Sequence, residues 1–250
     1  MKPFLLLIAL SLSAGSLALR ASVVSLAASR DNTIYSETFA QLSNGQGPFL
    51  YAGRNANDNL RRLLLDFDLG AIPAGSTITS ATLKLSMDRT ISGPSDFSLH
   101  RLLANWGEGS SNAGTPGGTG VPAMAGDATW TLALFPGTPW TTPGGTFSAV
   151  ASATTSVVAT GEYVWASSQL TADVQNWLND PTANFGWLLK DDESALSAKR
   201  FVSAEGTLAN RPKLVITFDP VIVPEPSPTM LLAAVGTAML GVRRIIGRKW

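Results

Sequence analysis

The 250-residue chain predicts an all-β protein, an antiparallel β-sandwich with one short helix, flanked by an apolar segment at each end. Three observations lead there. Over residues 22–219 apolar side chains recur with a period of two, the spacing that places them on one face of a strand. Turn chemistry interrupts those runs, with 23 glycines and 15 prolines in the chain. Many short strands separated by turns favour a sandwich over alternating helices and parallel strands. An apolar content of 45% supplies a sizeable core, and a charged content of 14%, against a usual ~25%, argues against disorder.

Residues 61–69 form the clearest strand. Leu63, Leu65, Phe67 and Leu69 share one face, while Arg62, Leu64, Asp66 and Asp68 take the other. Ala81, Leu83, Leu85 and Met87 alternate likewise with Thr82, Lys84, Ser86 and Asp88. Pro73 and Gly75 mark the turn between them. Further strands are expected over residues 23–28, 33–37, 97–103, 128–132, 163–167, 185–190, 200–204 and 213–218. One segment changes period. Val174, Trp177 and Leu178 fall at i, i+3, i+4, with Thr171 suited to the N-cap, Asp173 near the positive helix end, and Pro181 as a stop. The apolar stripe of this helix should cover one open end of the sandwich.

The two ends read as addresses. Lys2 precedes an apolar run over residues 4–12, too short to span a bilayer, and Ser16 and Ala18 offer the small residues of a signal-peptidase site. Cleavage is expected after Ala18 or near Ala21, so residues 1–21 are assigned to a signal peptide. Near the other end, Pro224, Glu225 and Pro226 stand in a stiff extended linker, residues 220–228. Residues 229–242 carry no charge and precede Arg243, Arg244, Arg248 and Lys249. As a helix those residues rise about 21 Å, and Ile245 and Ile246 extend it toward the ~30 Å hydrocarbon core if the arginines snorkel. Residues 229–250 are therefore expected to be a transmembrane helix with a basic cytoplasmic tail, leaving the body outside.

Lysine and arginine total 18, as do aspartate and glutamate. Setting aside Lys2, Arg20 and the four basic tail residues, together with Glu225, leaves 12 basic against 17 acidic residues in the body. A body of that sign argues against nucleic-acid binding, which needs a basic surface. With no cysteine and only His100, zinc sites, iron–sulfur clusters and thiol nucleophiles are excluded. A Ser-His-Asp arrangement would have to use His100, and no Gly-x-Ser-x-Gly elbow presents a serine. No carboxylate pair is singled out for glycosidase work. The body is read as non-catalytic.

Two resemblances follow from these residues. Val223-Pro224-Glu225-Pro226-Ser227, the apolar helix and the arginine cluster resemble the PEP-CTERM sorting signal of Gram-negative bacteria. This implies recognition of Pro224, Glu225 and Pro226 by an exosortase-type membrane protease. Release to the cell surface or an extracellular polysaccharide matrix follows, with the inner membrane holding any unprocessed chain. The body resembles the DNRLRE domain, in order, through Asp31-Asn32-Thr33-Ile34-Tyr35, Arg61-Arg62-Leu63-Leu64-Leu65-Asp66-Phe67-Asp68, Ile72-Pro73-Ala74-Gly75, Leu99-His100-Arg101 with Trp106-Gly107-Glu108, and Ala128-Thr129-Trp130. Asp173-Val174-Gln175-Asn176-Trp177-Leu178, Asn184-Phe185-Gly186-Trp187 and Arg211-Pro212-Lys213-Leu214 complete the set over residues 22–219. The resemblance implies a jelly-roll related to carbohydrate-binding modules, and with it polysaccharide binding. The glycine-rich insert after Trp106 is longer than that family's loop.

Candidate ligand residues cluster around the loops. Residues 107–126 hold seven glycines and read as a flexible surface connection. Glu108, Asn112 and Asp127 beside it offer oxygen to a hard cation, Ca2+ being the ion expected. Asp31, Asp66 and Asp68 are a second oxygen-rich group, with pairing to Arg61 and Arg62 as the competing role. Sugar rings stack on flat aromatic faces, so Tyr51, Trp106, Trp130 and Trp140, which flank glycine- and proline-rich loops, are the glycan-binding candidates. Arg54, with Arg61 and Arg62, suits the carboxylates of an acidic polysaccharide. The expected function is an exported surface or matrix protein that binds polysaccharide, the alternative being a secreted glycoside hydrolase or polysaccharide lyase.

Overall fold

The computed structural model describes residues 20–37 and 41–221. Residues 1–19 of the expected signal peptide, Pro224, Glu225 and Pro226, and the expected transmembrane helix lie outside the described residues. Among the described residues, no helix is long and apolar enough to cross a membrane. The body runs β1 (Ser22–Ala27), β2 (Arg30–Tyr35), β3 (Leu42–Ser43), β4 (Phe49–Arg54), β5 (Leu60–Asp66), β6 (Thr77–Thr90), β7 (Ser95–Leu102) and β8 (Val121–Pro122). It continues through β9 (Leu132–Leu134), β10 (Thr138–Pro139), β11 (Phe147–Val157), β12 (Gly161–Ala166), α1 (Ser168–Asn179), β13 (Trp187–Lys190), β14 (Lys199–Val202) and β15 (Lys213–Asp219). The all-β expectation holds, and the ladders between these strands are antiparallel.

Two layers share one core. In the first, β1 pairs β15, β15 pairs β6, and β6 also carries β12 and β14. In the second, β5 lies between β2 and β13, and β7 joins β13 to β11. Strand β4 belongs to both: Phe49 to Ala52 pair with β14, whereas Gly53 and Arg54 pair with β5. That crossing depends on Gly53, whose φ of +99° suits glycine and whose added Cβ would meet Ser197 Oγ at 2.8 Å. Leu83, Leu85 and Leu214 from the first layer and Leu63, Leu65 and Leu189 from the second are fully or almost fully buried in the shared core. Phe97 and Phe201 meet edge-on across it, and Trp165 Nε1 donates to the Phe97 carbonyl at 2.8 Å.

The second face of β5, which carries Arg62, Leu64 and Asp66, is covered as well. Leu64 and Leu188 point away from the shared core and pack with Ile34, Leu102, Trp106 and Trp140 in a second cluster. The cover comes from the chain between β7 and β11, which folds back over the second layer. Arg62 is consequently buried, with its guanidinium 4.6 Å over Trp130 and paired with Glu193 at 2.6 Å. Of the strand expected over residues 128–132, only Leu132 enters one, the short β9.

The helix begins a turn earlier than Thr171 suggested. Ser167 is the N-cap and its Oγ accepts from the Leu170 amide at 2.9 Å, while Thr171 Oγ1 accepts from the Ala81 amide at 3.2 Å. Leu170, Val174, Trp177 and Leu178 form the buried stripe, and Gln175 Oε1 accepts from Ile78 of β6. Asp173 Oδ2 takes the Ser152 hydroxyl of β11 at 2.5 Å, so α1 is tied to one strand of each layer. Its first-turn role gives way to that buried contact.

Candidate functional site

A groove of about 240 Å³ opens where β4, β5, β6 and β14 meet the glycine-rich segment after Trp106. Tyr51, Arg61, Arg89, Lys199 and Arg200 line it, with Thr119 on the loop side. Register explains the convergence: Arg200 lies opposite both Tyr51 on β4 and Arg89 on β6. The glycine-rich segment is packed rather than free. Gly118 approaches the Tyr51 ring so closely that a Cβ would sit 3.2 Å from Cε1, and Gly120, at φ +64°, lies against the Tyr35 ring. Tyr35 Oη donates to the Gly117 carbonyl at 3.0 Å, Tyr51 Oη donates to the Pro116 carbonyl, and Arg61 Nε donates to the Gly118 carbonyl at 3.2 Å.

The groove is cationic. Arg61 is neutralised by Glu37 at 2.8 Å and Arg200 by Asp88 at 2.8 Å, and the hydrogen bonds to Asp88 raise the Arg200 pKa. Arg200 also stacks 3.8 Å over Phe49. One exposed charge is left over. Arg89 is exposed and makes no ion pair among the described residues. Lys199 is fully buried, its Nζ held by Thr90 Oγ1 and Ser92 Oγ at 2.9 Å and by the Gly93 and Ser92 carbonyls at 2.6 and 3.3 Å; burial lowers its pKa and the Asp191 carboxylate opposes that shift. Burial raises the Tyr51 pKa, so its phenol stays a neutral hydrogen-bonding group.

A wider depression of about 700 Å³ lies along β13, β7 and the edge strand β11, with His100, Asp96, Asp191 and Asp192 around it. His100 Nδ1 pairs with the Ser148 carbonyl at 2.9 Å, which leaves Nε2 as the acceptor, and burial lowers its pKa. The neighbouring aspartates cap their own turn: Asp191 Oδ1 accepts from the Glu193 amide and Asp192 Oδ1 from the Ser194 amide, both at 3.1 Å.

A third feature joins Asp31 of β2, Glu108 just beyond Trp106, and Glu205 in the turn after β14. One carboxylate oxygen from each lies within 4.8 Å of the others. Asp31 Oδ2 accepts from the Ala204 amide at 2.6 Å, and the Asp31 amide donates to Glu108 Oε1 at 2.9 Å. Gln46 Nε2 holds Glu108 Oε2 at 3.1 Å. Burial is the main cause that raises all three pKa values, and repulsion from Glu205 adds to it at both Asp31 and Glu108.

The residues expected from sequence are therefore redistributed. Tyr51 does line the groove, and Arg61 joins it. Arg54 does not; it pairs with Asp58 at 3.0 Å and donates to the Glu193 carbonyl. Trp106 is fully buried with Nε1 donating to the Phe185 carbonyl, and Trp140 is buried with Nε1 donating to the Thr129 carbonyl, so neither ring offers a face to a sugar. Trp130 is half-buried beneath Arg62. Glu108, Asn112 and Asp127 do not act as a set: Asn112 is exposed and caps Gly114, and Asp127 accepts from the Ser111 and Met124 amides. Asp66 pairs with Arg30 at 2.6 Å and Asp68 caps Gly70, which separates both from Asp31. Sequence reasoning missed Arg89, Lys199, Arg200 and Glu205. The chain matches no protein-family model, and no curated protein sequence matches it.

Proposed function

We propose that this chain is an exported, non-catalytic jelly-roll module of the DNRLRE kind that binds an acidic polysaccharide at the cell surface or in an extracellular matrix. The observation that carries this reading is the groove lined by Tyr51 with one exposed cation, Arg89, that no ion pair among the described residues neutralises, on a body that is acidic overall. A uronate residue presents an apolar ring face to an aromatic side chain and a carboxylate to a guanidinium. The groove is smaller than the ~300–1,000 Å³ of pockets that enclose a whole small molecule, which suits one sugar of a long chain. No carboxylate or histidine is among the groove-lining residues, so it lacks an acid–base pair.

Delivery rests on the two terminal segments. In this reading residues 1–21 direct export, an exosortase-type protease acts at Pro224, Glu225 and Pro226, and the basic tail holds any uncut chain in the inner membrane.

Affinity electrophoresis through gels containing polygalacturonate, sulfated dextran or neutral dextran tests the binding. Retardation is expected with the first polymer and not with neutral dextran. Arg89→Ala should weaken it roughly tenfold, the loss of one charge-assisted contact. Equal migration in all gels would remove the reading, and release of reducing ends or unsaturated sugars would replace it with a hydrolase or lyase.

A further inference from the structure

We propose that Asp31, Glu108 and Glu205 form a calcium site that fastens β2, the segment after Trp106 and the turn after β14 to one another. Three carboxylates gathered within 4.8 Å would not suffice, since acidic groups often cluster without an ion. The decisive observation concerns what they lack. Asp31 is wholly buried, and its Oδ1 finds no hydrogen-bond donor among the described residues. Glu205 Oε2 is sealed from solvent in the same unpartnered condition. Buried carboxylate oxygens ordinarily accept hydrogen bonds or meet a cation, because leaving them unpaired is costly.

Protein cations do not fill that role. Arg30, on the same strand as Asp31, is paired with Asp66, and Arg211, which lies near Glu205, donates its Nε to the Gly206 carbonyl. Among the described residues, no lysine or arginine forms an ion pair with any of the three carboxylates.

The donor set selects the ion. Anionic oxygen without nitrogen or sulfur suits a hard divalent cation. Ligands on opposite sides of Ca2+, each about 2.4 Å away, stand about 4.8 Å apart. Three oxygens within 4.8 Å of one another can therefore share one calcium ion. Mg2+ demands near-octahedral order at about 2.0–2.1 Å and dehydrates reluctantly, so carboxylates gathered from three separate segments suit Ca2+ better. Two of the side chains are already oriented by backbone amides, Asp31 by Ala204 and Glu108 by Asp31. This assignment goes beyond the polysaccharide reading and does not depend on it.

The test uses the full-length chain, stripped with EGTA and melted at pH 8 with CaCl2, with MgCl2 or with neither. At 100-fold excess over the dissociation constant, Ca2+ should raise the midpoint by on the order of 5–10 °C, with a smaller shift from Mg2+. Glu205→Gln should abolish the Ca2+ shift while melting no lower than the ion-free parent, because one repelling charge has gone. Asn112→Ala, in the neighbouring exposed loop, should keep the shift. Equilibrium dialysis of the parent, which requires no variant to fold, should retain one Ca2+ per chain. No retained calcium and no shift in the parent would overturn the proposal, as would a full shift in Glu205→Gln.

Discussion

Replacing Trp177 tests how the helix seals the sandwich. The side chain is 2% exposed and its ring meets Trp187 at a centroid distance of 4.4 Å and an interplanar angle of 62°. Truncation to alanine loses the transfer energy of a buried ring and leaves a cavity, together costing about 3–5 kcal/mol. A domain of this length shifts its midpoint by roughly 2–4 °C per kcal/mol, so Trp177→Ala should melt about 6–20 °C below the parent. Phenylalanine separates ring packing from the indole N–H. Trp177 Nε1 is buried with no acceptor among the described residues, and an unpaired buried donor costs about 1–3 kcal/mol. Trp177→Phe removes that orphan while retaining a ring against Trp187, so the gain offsets much of the lost volume and the net change should stay within about 1 kcal/mol. Thermal and urea melts followed by far-ultraviolet circular dichroism measure both. An alanine variant that melts with the parent would show that the helix does not close the core. A phenylalanine variant as damaged as alanine would show that the N–H is satisfied in solution.

Two further outcomes follow from buried charge. Glu193→Gln leaves Arg62, whose side chain is only 11% exposed, without its ionic partner and should cost about 3 kcal/mol in urea melts, whereas the exposed Asp58→Asn beside Arg54 should cost under about 1 kcal/mol. His100 has a pKa lowered from 6.5 by burial, with Lys190 and Arg62 adding to the effect and Glu193 opposing it. The unfolded chain therefore takes up the His100 proton first as pH falls below 6.5, and that part of the stability, complete above 6.5, declines toward the folded pKa. His100→Gln should flatten this slope relative to the parent between about pH 7.5 and 5.5, and identical slopes would contradict it.

The β architecture was legible because most strands keep one face in a single core. Leu63, Leu65, Leu83 and Leu85 sit where alternation put them, all within the shared core. Strands β4 and β11 escaped notice for physical reasons. Gly53 breaks the pattern of β4 where it changes layers, and β11 is mostly serine, alanine and threonine, without an alternating apolar face. The second core was also hidden. Leu64 shares its strand face with Arg62 and Asp66, and it packs with Trp106 and Trp140 beneath the long segment between β7 and β11. Once that segment is known to cover β5, the two tryptophans become its fastening, and their indole N–H groups find backbone carbonyls as buried tryptophans do.

Local density of oxygen-bearing residues misled the search for a cation site, and the reason generalises within this molecule. Asp127 stands in a glycine-rich loop that folds back on it, so its two oxygens are spent on the Ser111 and Met124 amides of its own loop. Asp68, Asp180 and Asp192 are consumed in the same way by amides two residues ahead. A carboxylate keeps an oxygen for a ligand only where the neighbouring amides already have other partners, as on a paired strand. Asp31 meets that condition: β2 is laddered to β5, and its own amide is given to Glu108. Glu108 and Glu205 reach it across 77 and 174 residues of chain, distances over which no spacing motif operates. Asp31 stood out in sequence beside Asp66 and Asp68; what sets it apart from them is its position, a charged residue inside a strand with Asn32, Thr33 and Ile34, all of which are also fully buried. A charge inside a strand that is buried on both sides demands a counter-charge, and the nearest arginine on that strand, Arg30, is committed to Asp66.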